Sequence, residues 1–148
     1  MAINYDLSKM QRLVKGKFDD VGLKLDSNEI DGDFVRFRAS LTLKGKSFVM
    51  RGVIGNHGFG NFEAIFGEIQ VKADSLIAVN AFNDQYNLCK ATISRRGNAG
   101  TYRLVFNRGV QFVQTEEAMA HIAMAVLDDL LDDDLKDSYA KLFSFLND

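Results

Sequence analysis

Two histidines, one cysteine, a glycine-rich stretch and two groups of acidic residues are the parts of this chain with chemical potential. His121 follows Glu117 by four residues in a helical pattern, which puts both on one face. A zinc site asks for more His or Cys at matched spacing, so the two read as a surface His–Glu pair. His57 stands apart in a glycine-rich segment. Cys89 falls on the apolar phase of a strand pattern, and Lys90 points to the opposite face. A reactive thiolate needs exposure and a cationic neighbour, so Cys89 reads as a buried structural residue. Residues 55–61 have the glycines of a phosphate loop but no Gly-Lys-Ser/Thr triplet and no helix after it. They read as a hairpin loop with Phe59 exposed. Asp26, Asn28, Asp31 and Asp33 have the look of a calcium loop until Gly32 is set at the invariant glycine. That register puts Ser27 first and Arg38 last, and neither suits the metal; turn formation explains these residues.

Charge is the stronger feature. Asp128, Asp129, Asp132, Asp133, Asp134 and Asp137 crowd one stretch. They could serve a divalent metal or a basic partner, but the Glu-x-x-His pair of helical carboxylate metal sites is absent, and a solvated helix face explains them. Lys90, Arg95, Arg96, Arg103 and Arg108 fall in one pair of strand patterns, and Arg36 and Arg38 in another. On a shared sheet face they would form a basic patch beside Phe34. RNA-binding sheets combine basic groups with stacking aromatics. The net charge of -2 argues against a nucleic-acid partner. Pairing with acidic groups, such as the C-terminal helix of a second copy, is the expected use.

The chain's 148 residues suit one domain, spanning 1–148. A chain of that length buries roughly 70% of its unfolded surface without disulfides or structural metal. One cysteine, no basic-then-apolar start and no apolar run near the ~20 residues that span a bilayer predict a cytoplasmic protein with no membrane contact. Residues 1–114 hold 16 Lys/Arg against 11 Asp/Glu, whereas residues 115–148 hold 2 against 9. Proline is absent, so Gly, Asn and Asp supply all the punctuation.

The elements follow from periodicity. Leu7, Met10, Leu13, Val14, Phe18 and Val21 predict a helix over 6–21, with Gly16 bending it or marking a close approach. Alternation predicts strands at 34–43, 47–54 and 62–71, with a weak strand at 23–30 and a turn at 44–46. Leu76, Ile77, Val79, Ala81 and Phe82 mark the apolar side of a helix over 73–86. Strands at 88–96 and 101–108 form a hairpin around 97–100. Thr115 caps a C-terminal helical segment, 115–146, which is either continuous or broken near Asp132–Asp134. The connections are too short for parallel crossovers.

Where the second helix runs straight into its strand stand Asn80, Phe82, Asn83, Lys90 and Ala91. This stretch resembles the Asn-x-Phe-Asn-x6-Lys-Ala segment of the YbjN-like proteins, labelled as sensory transduction regulators. Gly109-Val110 ahead of Thr115-Glu116-Glu117 fits the same pattern. The resemblance implies the type III secretion chaperone-like fold and a non-enzymatic interaction or regulatory role, with no catalytic residues. The first β region is more basic, and the extension after Asp134 longer, than that family's pattern.

The expected fold is therefore α+β: an antiparallel sheet with helices in the order α-βββ-α-ββ(β)-α. The expected function is a non-enzymatic protein-interaction module without cofactor or metal. Its partner is another protein or peptide, with a homodimer as one form. Candidate partner contacts are Tyr139, Leu142, Phe143 and Leu146 on the last helix, and Arg96 and Arg103 on the sheet. The alternatives are a small ligand in the sheet concavity or nucleic acid on the basic face.

Overall fold

Met10, Val14 and Phe18 recur every four residues and give α1 (Leu7–Asp20) one fully buried stripe. In this computed structural model, which describes residues 2–43, 46–69, 74–85, 89–96, 101–130 and Leu142, both ends of that helix are built by local chemistry. The Asp6 carboxylate accepts the Lys9 N–H at 3.1 Å, satisfying a donor that has no partner within the helix. At the other end Gly22 takes φ +73°. The Leu23 N–H then reaches the Phe18 carbonyl and the Gly22 N–H reaches that of Asp19, the paired closure that a left-handed glycine permits. Gly16 neither bends the helix into a neighbour nor marks a close approach, since a Cβ there would meet open space.

β1 (Ser27–Asp31), β2 (Phe34–Leu43), β3 (Lys46–Gly55) and β4 (Phe59–Ile69) run as an antiparallel meander. The chain then crosses through α2 (Ser75–Gln85) to the sheet edge as β5 (Lys90–Arg96) and returns inside it as β6 (Thr101–Val110), beside β4. The six strands lie in the order β1-β2-β3-β4-β6-β5. α3 (Glu116–Leu130) follows β6. Its first turn is capped by Thr115, whose hydroxyl accepts the Ala118 N–H at 3.1 Å. The fold is α+β, and its element order is the expected one.

α1, α2 and α3 pack on one face of the sheet. Phe18 of α1 meets Phe37 of β2 with ring centroids 5.5 Å apart, and Phe82 of α2 meets Phe106 of β6 at 5.1 Å. Met119 of α3 lies beside Gly60 and Phe62 of β4. Aromatic pairs of this kind contribute about 0.5–1.5 kcal/mol beyond the area they bury. Cys89, on the same apolar phase, is buried.

Two expectations need correction. β4 starts at Phe59, so the second half of the supposed loop 55–61 is strand; the turn needs only residues 56–58, with Gly58 at φ +91°. Phe59 itself is exposed, as expected, with one edge of its ring against Phe34. On α2, Leu76 and Ile77 are 62% and 68% exposed, while Ser75, Val79 and Phe82 are buried. The helix lies against the edge strand β5 along one narrow stripe, so an all-round apolar sequence misplaces its inner side. The turn at Lys44–Gly45, the loop at 97–100 and the question of a break near Asp132–Asp134 fall outside the described residues.

Two glycines should respond oppositely to one change. Gly16→Ala should stabilise the protein by about 1 kcal/mol, because it removes a helix-interior glycine at no steric cost. Gly52→Ala should destabilise it by about 1–3 kcal/mol, because the new Cβ would overlap the buried Phe37 ring on the neighbouring strand. Urea unfolding of the two variants checks both signs.

Candidate binding face of the sheet

Among the described residues no helix or strand crosses the other face of the sheet. Strand alternation decides what it carries: Val35, Phe37 and Ala39 turn to the helices, and Arg36, Arg38 and Ser40 turn away. Register then aligns residues across strands. Arg38, Arg51, Glu63, Asn107 and Lys90 are successive partners in one row. Ser40, Val49, Ile65, Val105 and Thr92 form the next. The second row has an apolar centre, in which Ile65 and Val105 are 8% and 6% exposed.

Arg38 and Arg51 are directly opposed, and like charges in that relation destabilise a sheet. Glu63 offsets this. Its Oε2 accepts Arg51 Nη2 at 2.8 Å, and its Oε1 accepts Asn61 Nδ2 at 3.0 Å. Asn61 in turn accepts Asn107 Nδ2 at 2.6 Å. The chain of bonds joins β3, β4 and β6 and holds the Glu63 side chain at 16% exposure. Arg38 has no ion pair among the described residues. Arg103 stands across the apolar row, and its Nε is buried with no hydrogen-bond partner there. Arg36 is placed differently: it pairs with Asp31 at 3.0 Å and lies over the Phe34 ring. A cavity of about 250 Å³ opens between Arg38, Arg51 and Arg103, with Ser40 and Ser47 on its rim.

The sheet therefore splits the basic residues that strand pattern grouped together. Arg36, Arg38, Lys90 and Arg103 share the open face. Arg108 is on the helix side, where it bonds Asp129 of α3 at 3.0 Å. Arg96 pairs with Thr101 at the end of β5. Arg51 and Glu63 were missed by the sequence reading; both lie in β3 and β4, and only the register shows that Arg51 faces Arg38. On the last helical segment, Leu142 is buried in the core, 7% exposed; Tyr139, Phe143 and Leu146 lie outside the described residues.

The remaining candidates serve the fold. Glu117 is taken by Lys9 of α1 at 2.6 Å, which raises the lysine pKa and lowers that of the carboxyl. His57 Nδ1 lies 3.1 Å from the Ile3 carbonyl. The Tyr5 hydroxyl donates to the Val113 carbonyl at 2.5 Å; burial, with the charge of Glu116, pushes its pKa up to about 12. Among the described residues no group of three or more His, Cys, Asp or Glu is placed to hold a metal, and no helix is long and apolar enough to cross a membrane.

Three helices on one face of a six-stranded antiparallel sheet, with the last strand returned inside, is an arrangement found before. The chain shares its fold with YbjN from E. coli, a candidate transcription regulator. The two superpose with a TM-score of 0.54 at 16% identity, over 88% of this chain and 89% of that one. No family model and no curated protein matches. The Asn83 side chain shows what the YbjN-like segment does here. Its Nδ2 donates to the Ala91 carbonyl at 3.0 Å and its Oδ1 accepts the Ala91 N–H at 2.7 Å. The amide thus imitates a neighbouring strand and ties the end of α2 to β5. Phe82 is buried beside it, so both side chains serve the fold.

Glu63→Gln should lower stability by about 1 kcal/mol, because it leaves Arg38 and Arg51 opposed without a counter-charge. Urea midpoints at low and high salt check this: the loss should shrink as salt screens the two arginines.

Proposed function

We propose that this chain is a non-catalytic regulatory module that holds an acidic segment of another protein on its open sheet face. The observation that carries this reading is the one-sided packing, which leaves a face bearing Arg36, Arg38, Arg51 and Arg103 around an apolar row. Binding surfaces combine an apolar centre with a polar rim and are enriched in arginine. The fold likeness to a protein named as a candidate transcription regulator supports a regulatory role. The charge asymmetry of the chain supports an acidic partner. Residues 115–148, with 9 Asp/Glu, supply one such segment, so a second copy is one form the partner takes.

Capture from lysate of the source organism tests this. The tagged chain should retain a defined protein partner, itself included. The double variant Arg38→Glu/Arg103→Glu should lose it, while Leu76→Asp, on the exposed side of α2, should not. Retention unchanged by the double reversal, with circular dichroism showing both variants folded, would remove the sheet face from the binding site.

A further inference from the structure

The cavity on the open face has features that a general acidic partner does not require. Arg38, Arg51 and Arg103 all line it, from three different strands. The hydroxyls of Ser40 and Ser47 stand at its rim, and Val49 and Ile65 form an apolar wall. No carboxylate lines it among the described residues. Among the described side chains two acidic groups border it, and the register also sets Glu68 opposite Arg103 across β4 and β6. Glu63 is bonded to Arg51, and the exposed Asp26 accepts the Ser40 hydroxyl at 2.5 Å.

The charge balance selects the ligand. Glu63 compensates Arg51, whereas Arg38 and Arg103 have no ion pair among the described residues. Two guanidinium groups with no ion pair among the described residues match a dianion better than a monoanion. Planar guanidinium groups bind phosphate through paired, charge-assisted hydrogen bonds. The buried Nε of Arg103, without a partner there, is a donor that such an oxygen would satisfy; leaving it unmade costs free energy. A volume of about 250 Å³ exceeds what a phosphate group fills, and the apolar wall suits a small ring or aliphatic body beside it.

We propose that this cavity binds a small soluble phosphomonoester, its dianionic phosphate held between Arg38, Arg51 and Arg103. Such a ligand would act as an effector bound within the open face, and it does not depend on the partner there being a protein.

Isothermal titration of the full chain with phenyl phosphate, and with benzoate as a monoanionic comparison, tests this. One-site binding of phenyl phosphate is expected, at least about tenfold tighter than benzoate and weakening with salt. Arg38→Gln and Arg103→Gln should each weaken it by about tenfold or more, the effect of losing a hydrogen bond to a charged group. Ser47→Asp should act in the same direction by placing a negative charge at the rim without removing an arginine. Circular dichroism confirms that each variant is folded. Absence of saturable phenyl phosphate binding to the unaltered chain, or equal binding to Arg103→Gln, would overturn the assignment. Phenyl phosphate binding without capture of any protein would uphold this site and reject the protein-partner reading; capture without phenyl phosphate binding would do the reverse.

Discussion

Phe18, Phe37 and Phe62 touch in sequence, and Phe48, Phe66, Phe106 and Phe82 do the same across the other half of the sheet. These rings occupy the space between the helices and the sheet. They explain the glycine at position 52, where the Phe37 ring takes the volume of a side chain. They also explain the one-sided architecture. Every strand that contributes a ring commits its alternate residues to the opposite face, and no described helix covers that face.

An uncovered sheet face must be compatible with water and resist pairing with other sheets, and charged side chains serve both needs. Here they do so at a cost. Two arginines oppose each other across β2 and β3, with one glutamate and two asparagines arranged to relieve them. Glu63 offsets that repulsion, by about 1 kcal/mol, but among the described residues forms its ion pair with Arg51 alone. Arg38 and Arg103 are left without an ion pair among the described side chains. In the proposed function, those guanidinium groups are what draw an acidic ligand to the face.

The sequence carried the fold further than the site. Strand alternation is strong where one face is buried, so Val35-Phe37-Ala39 and Leu104-Phe106 placed β2 and β6 directly. Asn83 signalled its place through a family resemblance, and its two hydrogen bonds to Ala91 give the physical cause. Two kinds of information were not legible. Gly60 and Asn61 read as loop because glycine and asparagine favour turns, yet flanking strands on both sides hold them extended. The partnership of Arg38 with Arg51 depends on hairpin register, which a one-residue change in the turn would reverse. Arg108 was grouped with Arg103 because both are basic and lie on one strand. Five positions apart, they point to opposite faces.

In the proposed function, binding occurs on the sheet face turned away from the helices. The most direct measurement is a backbone amide chemical-shift map of the isotopically labelled chain with its bound partner. Perturbations centred on Arg38, Val49, Arg51, Ile65, Arg103 and Val105, across four adjacent strands, are the expected result. A footprint confined to α2 or α3, with those six amides unchanged, would contradict it.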